Sequence, residues 1–451
     1  MKSTNPATGE VFAEYSLHDD QMVERRIARA AETFTHWRAT SFGERSRLFQ
    51  KLAHLLKSGK NAFAYTMSSE MGKPLAQARS EVGKCALVCE YFAEKAPRAL
   101  AAQHVDTEAQ RSQILFEPLG AVFAIMPWNF PFWQVFRFAA PTLMAGNVAL
   151  LKHAPNVGGC ATHIVDLFRQ AGFPKGVFDK LFLTNEKAAE VIADSRIRAV
   201  TLTGSTRAGR AVAKRAGESL KPCVLELGGS DPFIVLEDAD IDRAVDRGLF
   251  ARMMNNGQSC IAAKRFFLHE SIASEFTEKF VEKARALQLG DPLDESTDLG
   301  PMARADLRAD LHRQVEDSIQ KGAHALLGAE IPDGPGYFYP PTVLTEVKPG
   351  MPAFDEELFG PAAAFIVVKD ADQAIALANQ SSYGLGASIW TDSRRGRKLA
   401  PKLEVGAVFV NEMVKSDPRL PFGGVKNSGF GRELSSYGLL EFVNIKSLWV
   451  Q

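Results

Sequence analysis

Between residues 119 and 229 the chain alternates short apolar runs with longer amphipathic stretches. The apolar runs are GAVFAIMP, NVALLKHA, DKLFLT, RAVTLTGS and CVLELGG, and the stretches between them, such as CATHIVDLFRQAG and RAGRAVAKRAGESL, have apolar residues at helical spacing. Because parallel strands need a crossover connection, which is usually a helix, this order predicts βαβ units around a parallel sheet. Ligands of such open sheets bind beyond the carboxyl ends of the strands.

The regions on either side of this segment also predict an α/β protein. Apolar residues three to four apart in MVERRIARAAETFTHW, ERSRLFQKLAHLLKSG and KNAFAYTMSSEMG predict helices between residues 20 and 100. From about residue 230 we expect helices at 271–287 and 304–322 and strands at 363–368 and 387–391. The tail, LLEFVNIKSLWVQ, predicts a strand whose edge needs a partner, and a second subunit is one way to supply it.

Length and composition restrict the class of protein. A chain of 451 residues is too long for one compact core and predicts two or three domains. The formal net charge is zero, so there is no basic surplus for phosphates and we expect no nucleic-acid partner. The first residues, MKSTNPATGEV, contain no apolar signal segment. The longest apolar run, 122–136, is interrupted by prolines and is too short to span a membrane.

The cysteines favour a reducing compartment. There are five of them at irregular spacing, which does not form a disulfide framework. Cys85 and Cys89 stand four residues apart in EVGKCALVCEYFAEKA, and no Cys-x-x-Cys or nearby pair of histidines completes a metal site. A buried helix face is therefore the favoured interpretation of this pair, and we expect a cytoplasmic protein without a bound metal.

Residues 203–209, TGSTRAG, join a predicted strand to a predicted helix. Gly204 and Ser205 suit a helix N-terminus that holds a pyrophosphate through backbone N–H groups and the helix dipole. An ordinary turn in which a Ser or Thr caps the helix explains the same residues. The Gly-Lys-Ser/Thr ending of a P-loop is missing, and the residues alone leave both interpretations open.

Three residues are candidates for catalysis. Glu226 lies at the end of an apolar strand, where burial would raise its pKa toward that of a general base, although a solvated strand end is equally compatible. Cys260 follows a polar, turn-forming approach, NNGQS, and is either a nucleophile facing a cleft or a small buried residue. Asn129 lies between two aromatic residues and two prolines, and a rigid amide is a suitable oxyanion donor.

A pair of residues downstream of Asn129 is a candidate for ligand contact. Trp133 and Arg137 stand four residues apart, so they share one face of a predicted helix. A surface ion pair is the alternative role for Arg137.

Six separated segments resemble the motifs of the aldehyde dehydrogenase superfamily, in order and in spacing. They are PWNFP (127–131), LTGST (202–206), LELGG (225–229), GQSC (257–260), EELFGP (356–361) and PFGGVKNSGFGREL (421–434). The resemblance covers essentially the whole chain. It implies an α/β fold with a Rossmann-like NAD(P)-binding domain, an α/β catalytic domain and a small β oligomerisation arm. We assign these parts to residues 1–98 with 118–228, to 229–438, and to 99–117 with 439–451.

The resemblance implies roles for the three catalytic candidates. The Cys260 thiolate would attack an aldehyde carbonyl, and the Asn129 amide with the Cys260 backbone N–H would hold the oxyanion. The thiohemiacetal would pass a hydride to nicotinamide, and Glu226 would activate the water that hydrolyses the thioester.

The resemblance also implies binding residues for the cofactor and the substrate. The cofactor-binding residues would be Trp128, Lys152, Gly204, Ser205, Glu357 and Phe359. The substrate-binding residues would be Phe130, Trp133, Arg137, Ser416 and Phe422. NAD-preferring relatives usually have a glutamate three residues after the matching lysine, where this chain has Pro155. Without a carboxylate to repel a 2′-phosphate, NAD and NADP both remain open as cofactors.

The substrate expectation depends on Arg137. It lies eight residues after Asn129 and matches a tunnel arginine of succinate-semialdehyde dehydrogenases, which implies pairing with the distal carboxylate of a short semialdehyde. Met254 stands where some of those enzymes have a second arginine, and Ser416 is expected to supply a polar contact instead. The chain is most similar to the compact bacterial branch. We therefore expect oxidation of succinate semialdehyde to succinate by a homodimer or homotetramer.

Three alternatives remain. A broad-range aliphatic aldehyde dehydrogenase would not depend on Arg137. A CoA-acylating semialdehyde dehydrogenase would typically lack the glutamate that is present here as Glu226. A non-catalytic binding protein on the same fold would be expected to have lost Cys260 or Glu226, and both are present.

Overall fold

The computed structural model describes residues 1–451. Its first half contains β1 (Lys2–Thr4), β2 (Val11–Glu14), α1 (Asp20–Trp37), α2 (Phe42–Ser58), α3 (Lys60–Met71), α4 (Leu75–Ala99), β3 (Gln103–His104), β4 (Arg111–Pro118), β5 (Ala121–Met126), α5 (Trp133–Met144), β6 (Val148–His153), α6 (Gly158–Ala171), β7 (Phe178–Lys180), α7 (Asn185–Ala193), β8 (Ile197–Thr203), α8 (Thr206–Glu218) and β9 (Cys223–Glu226).

The second half has the same mixed character. It contains β10 (Asp231–Val235), α9 (Ile241–Met253), β11 (Ala263–His269), α10 (Ala273–Arg285), α11 (Ala305–Gln320), β12 (His324–Leu327), β13 (Thr342–Thr345), α12 (Pro352–Asp355), β14 (Ala362–Val368), α13 (Ala371–Asn379), β15 (Tyr383–Gly384), β16 (Gly386–Trp390), α14 (Ser393–Leu399), β17 (Ala407–Val410), β18 (Val425–Lys426), β19 (Gly429–Phe430), α15 (Ser435–Leu440) and β20 (Val443–Val450).

The first large sheet is built from the alternating segment of the sequence. Its strand order is β19-β9-β8-β5-β6-β7, and every pairing is parallel except that of β19 with β9. The central strands β5 and β6 are buried along nearly their whole length, which explains why they read as continuous apolar runs. Helices α1 to α6 and the sheet share one hydrophobic core of 72 buried residues.

The second large sheet has seven strands in the order β12-β13-β14-β11-β10-β16-β17. Only the pairing of the edge strand β12 with β13 is antiparallel. Separate hydrophobic clusters pack on its two faces, one around Phe354 and Ile389 and the other around Phe266 and Phe365. The fold is thus mixed α/β with two mainly parallel sheets, and the predicted fold class is confirmed.

A small third sheet joins distant parts of the chain. The C-terminal strand β20 pairs antiparallel with β4, which also pairs with β3. These strands come from the two segments predicted to form one arm. The domain boundaries themselves stay predictions. Strand β19 lies in the predicted second domain by sequence, but it pairs with β9 of the first sheet.

Local signals at the helix ends explain where several elements begin and stop. Ser41 and Glu44 form a reciprocal capping box at the start of α2, and α3 ends at Gly72 in the left-handed conformation. Cys85 and Cys89 lie on the buried face of α4, and all five cysteines are free thiols. None of the helices is both long and apolar enough to span a bilayer.

Candidate active site

A cavity of about 400 Å³ lies between α4, α5, the turn that leads into β11, and the segment 413–422. Its lining is half hydrophobic, and it includes six of the predicted site residues: Phe130, Trp133, Arg137, Cys260, Ser416 and Phe422. The structure therefore brings the predicted nucleophile and the predicted substrate-binding residues into one space. Met254, where some relatives have an arginine, also lines it.

The turn before Cys260 is held in an unusual backbone conformation. Asn255, Asn256 and Gly257 all have positive φ angles, of 60°, 57° and 71°. Asparagine tolerates the left-handed region better than most residues, and a Cβ at position 257 would lie 2.3 Å from the backbone of Gly360. The Asn255 side-chain amide donates to the carbonyl of Asn129 at 2.9 Å. The turn is therefore fixed against the segment that carries the predicted oxyanion donor.

Cys260 is partly exposed, and burial raises the pKa of its thiol to about 12, while the charges of Arg137 and Lys264 act in the opposite direction. The neutral thiol therefore predominates at pH 7, and its attack on a carbonyl requires loss of the proton. Lys264 donates from Nζ to the carbonyl of Cys260 at 2.7 Å and forms an ion pair with Glu357 at 3.2 Å. Lys264 thus fixes the backbone of the nucleophile.

Asn129 is oriented by two side-chain hydrogen bonds. Its Nδ2 donates to the carbonyl of Gln258 at 3.1 Å, and its Oδ1 accepts from Nε2 of Gln134 at 3.2 Å. The amide nitrogen keeps a second hydrogen, and the backbone N–H of Cys260 makes no hydrogen bond within the chain. Two donors are therefore free for an oxyanion, which is the arrangement that stabilises a tetrahedral intermediate.

The segment that carries Asn129 is anchored at its other end by Glu81. Its Oε1 accepts from the backbone N–H groups of Phe132 and Trp133, both at 2.9 Å. A carboxylate at this position accepts hydrogen bonds from otherwise free N–H groups at the start of α5. It also interacts favourably with the positive end of the helix dipole. Hydrogen bonds therefore hold the PWNFP segment at Asn129 and directly after Pro131.

Glu226 ends strand β9 and is the most unusual carboxylate of the site. Both oxygens are buried and neither has a hydrogen-bond partner. Burial raises its pKa well above the ordinary value, the neighbouring Glu433 raises it further, and Arg137 lowers it. Gly423 leaves room for this side chain, because a Cβ there would lie 2.7 Å from Oε1 at a φ of 155°. A buried carboxylate without a partner is costly unless it has a chemical task.

Arg137 contacts the cavity but is already paired. Its Nε forms an ion pair with Glu433, and both side chains are almost fully buried. Its Nη2 donates to Gln134 Oε1 at 3.1 Å and lies 3.4 Å from Thr203 Oγ1, and its guanidinium carbon lies 4.5 Å from the ring centre of Phe422. Nη1 makes no hydrogen bond within the chain. The alternative of a surface ion pair is wrong, because this pair is internal.

The predicted cofactor residues cluster beyond the carboxyl ends of β8, β5 and β6. Ser205 caps α8 and accepts from the N–H of Ala208 at 3.3 Å, whereas the N–H groups of Thr206 and Arg207 have no partner in the chain. Lys152, at the end of β6, is buried, and burial lowers its pKa. The charge of Glu186 acts on this pKa in the opposite direction but does not offset the effect of burial, so the ammonium is available to an anionic ligand. These features fit a dinucleotide phosphate and ribose.

The remaining cofactor candidates lie where the two large sheets meet. Glu357 accepts from the backbone N–H of Gly229 at 3.0 Å. Trp128 and Phe359 pack edge to face, with ring centres 5.8 Å apart. Gly204 donates its N–H to the carbonyl of Glu226 at 3.0 Å, which ties the phosphate-binding turn to the strand end of the general-base candidate.

Three charged residues of this site were not singled out from the sequence. Lys84 lines the cavity, Glu433 pairs with Arg137, and Lys264 binds the Cys260 carbonyl. Glu433 lies within the PFGGVKNSGFGREL motif, so its position was available as a signal. Lys84 and Lys264 look like ordinary helix and strand lysines, and only the tertiary structure shows their surroundings.

Comparisons with known proteins agree with this geometry. A model of the Aldehyde dehydrogenase family matches residues 1–448. A probable succinate-semialdehyde dehydrogenase [NADP(+)] of Synechocystis sp. is 51% identical over 451 residues, covering 100% of this chain and 99% of that protein. A succinate semialdehyde dehydrogenase [NAD(P)+] of Escherichia coli is 51% identical over 448 residues, covering 99% and 97%. The crystal structure of succinic semialdehyde dehydrogenase from Streptococcus pyogenes with NADP+ has a TM-score of 0.98 at 35% identity, covering 100% and 99%. The chain belongs to the aldehyde dehydrogenase family.

Proposed function

We propose that this protein oxidises succinate semialdehyde to succinate with NAD+ or NADP+. The observation that carries the proposal is the shared cavity, in which the Cys260 thiol lies together with the guanidinium of Arg137 and the hydroxyl of Ser416. A four-carbon semialdehyde offers an aldehyde to the thiol and a carboxylate to the polar groups. The names of the bacterial relatives support the same substrate.

The first step is attack by sulfur. Cys260 releases its proton to solvent water, the thiolate adds to the aldehyde carbon, and a thiohemiacetal forms with its oxygen as an oxyanion. The free N–H of Cys260 and the second hydrogen of the Asn129 amide would donate to the developing oxyanion, and they would then lower the barrier more than they stabilise the bound aldehyde. The hydrogen bonds to Gln258 and Gln134 keep the amide oriented before the substrate arrives.

The nicotinamide cofactor, when bound, accepts a hydride and so oxidises the adduct to a thioester. Lys152, Glu357 and the N-terminus of α8 would hold it. Pro155 puts no carboxylate beside the ribose, so we propose that both NAD+ and NADP+ are accepted. An added phosphate would meet a cation in Lys152.

Glu226 would then take a proton from water, whose oxygen attacks the thioester carbon and breaks its bond to sulfur. The acid is released, and the proton passes from Glu226 to the Cys260 thiolate, which restores the thiol and the carboxylate. Burial suits this carboxyl for the task, because a raised pKa makes it a stronger base than an exposed glutamate. The reaction consumes aldehyde, oxidised cofactor and water, and yields acid, reduced cofactor and one proton.

A panel of C3 to C6 aldehydes and semialdehydes, assayed with each cofactor, tests the proposal. We expect the highest kcat/KM with succinate semialdehyde and no dependence of the rate on CoA. If an unbranched aldehyde without a carboxylate has the same kcat/KM as succinate semialdehyde, the broad-range alternative is favoured. A rate that requires CoA would instead indicate the acylating reaction.

We also propose that the chain forms a homo-oligomer through the small sheet. The strand β20 is exposed along nearly its whole length and carries large apolar side chains at Ile445, Trp449 and Val450. Apolar side chains on an exposed strand are typical of an interface. Light scattering of the purified protein should give a mass of two or four chains, and a monomer would contradict the proposal.

A further inference from the structure

One cation of the cavity lacks a counter-ion. The cavity is lined by four basic side chains, and three of them pair with carboxylates: Lys73 with Glu81, Arg137 with Glu433, and Lys415 with Glu412. No carboxylate lies within ion-pair distance of Lys84. Lys84 therefore supplies the uncompensated positive charge of this space.

The surroundings of Lys84 fix its ammonium group in the cavity. It lies on α4, is half-buried, and donates from Nζ to Ser416 Oγ at 2.6 Å. The same nitrogen lies 4.2 Å from the ring centre of Trp133, so an aromatic face covers one side of it. Because Ser416 accepts from Lys84, the hydrogen of its own hydroxyl is free to be donated to a ligand.

The burial of Lys84 and the charges around it favour an anionic ligand. Burial and the charge of Arg137 lower its pKa to about 8, and the more distant carboxylates of Glu81 and Asp417 only partly offset this. A partly buried ammonium without a carboxylate partner is costly, and an arriving carboxylate reduces that cost. Arg137 gains less from the same event, because Glu433 already neutralises it.

We propose that Lys84 is the residue that binds the distal carboxylate of the substrate, with the Ser416 hydroxyl as a second donor. This assignment rests on the proposed oxidation of a semialdehyde at Cys260. The carboxylate then lies between α4 and the segment that contains Ser416, and the aldehyde extends toward Cys260. The Arg137 side chain forms part of the cavity wall, and its free Nη1 can donate a hydrogen bond to the substrate. Its main charge partner remains Glu433. The ligand class is a short unbranched aldehyde with a carboxylate at the far end.

The test compares two aldehydes of equal chain length, succinate semialdehyde and butanal, in wild type and in Lys84→Met. Methionine keeps the length of the side chain and removes the charge. We expect the ratio of kcat/KM for the semialdehyde to kcat/KM for butanal to fall about tenfold or more, mainly through KM. Lys84→Arg should recover most of the ratio. Lys95→Met, a matched change at an exposed lysine of the same helix, should leave the ratio at the wild-type value.

The possible results separate the two proposals. If wild type prefers the semialdehyde and Lys84→Met retains that preference, or loses activity equally on both aldehydes, the assignment of Lys84 is overturned and the proposed function stands. A wild type that shows no preference would overturn both. Tryptophan fluorescence of each variant, compared with wild type, identifies a folding defect, in which case Lys84→Gln replaces Lys84→Met in the comparison.

Discussion

The ion pair of Arg137 and Glu433 predicts that Arg137→Leu weakens the folded state in a pH-dependent way. The two side chains are 3% and 6% exposed, and the substitution leaves the Glu433 carboxyl buried without a cation. Neither oxygen of Glu433 has a hydrogen-bond partner to replace it. Removing one member of a buried pair typically costs about 3–5 kcal/mol, because the charge that remains is uncompensated.

In the variant, Glu433 can take up a proton instead of remaining charged. The cost of protonation therefore limits the loss in the free energy of unfolding. Burial already raises its pKa and Arg137 lowers it, so the substitution raises the pKa further. Holding a proton at pH 7 on a carboxyl whose ordinary pKa is 4.5 costs about 3.4 kcal/mol, and about 0.7 kcal/mol at pH 5. Because the folded state of the variant then binds more protons than the unfolded state, its stability falls as pH rises. The pKa of Glu433 is raised in wild type too, so the loss relative to wild type should be at most about 3 kcal/mol near pH 7 and small near pH 5.

Urea unfolding followed by tryptophan fluorescence measures this at pH 5.5 and pH 7.5. We expect Arg137→Leu to unfold at lower urea than wild type at pH 7.5 and to approach it at pH 5.5. Adding Glu433→Gln should recover much of the loss at pH 7.5, since the amide carries no charge. A loss that is equal at both pH values, or a double variant no more stable than the single one, would refute the reasoning. The result also decides how to interpret any change in substrate KM for Arg137→Leu.

The catalytic, cofactor and substrate assignments lead to four further predictions. Cys260→Ala should abolish aldehyde oxidation and leave the Kd for NADP+ unchanged; residual turnover above background would contradict a sulfur nucleophile. Glu226→Gln should give a burst of one reduced cofactor per site, followed by slow turnover, in stopped-flow absorbance. The absence of a burst would show that Glu226 acts at or before hydride transfer, and would contradict its role in hydrolysis alone. Pro155→Glu should lower kcat/KM for NADP+ about tenfold or more against NAD+, because a carboxylate repels the 2′-phosphate; an unchanged ratio would contradict this. Finally, KM for succinate semialdehyde should rise above about pH 8, where free Lys84 loses its proton, and KM for butanal should not. The titratable or charged groups that face Lys84 are Arg137 on α5, Glu81 and Cys85 on α4, and Asp417 in the loop beyond Ser416.

Much of the fold was predictable because local signals and the tertiary structure agree. The apolar runs at 121–126, 148–153 and 197–203 are strands of one parallel sheet, and the helices predicted at 271–287 and 304–322 form at Ala273–Arg285 and Ala305–Gln320. Burial on both faces forces such strands to be apolar throughout, so their composition alone identifies them. The boundaries differ by one or two residues, because capping geometry decides them.

The environment of the nucleophile was less predictable. Asn255 and Asn256 were recognisable as turn residues, but their left-handed backbone and the hydrogen bond to Asn129 depend on a segment 126 residues earlier. The same holds for the pKa of Cys260, which reflects burial and the cations Arg137 and Lys264. Local sequence carries the residue type, whereas the charge and solvent around it come from contacts between distant segments.

The sequence predicts a substrate-binding role for Arg137 and none for Lys84, whereas the charge balance of the cavity favours Lys84. An arginine in an aromatic, proline-bounded segment stands out, while a lysine in EVGKCALVCEYFAEKA resembles any solvated helix residue. In the structure Arg137 is neutralised by Glu433, 296 residues away, and Lys84 meets a hydroxyl and an aromatic ring but no carboxylate. Recognition of an anion depends on the charge that remains after internal pairing. That quantity belongs to the whole cavity, so an arginine conspicuous in the sequence can have a mainly structural role while an ordinary lysine sets the specificity.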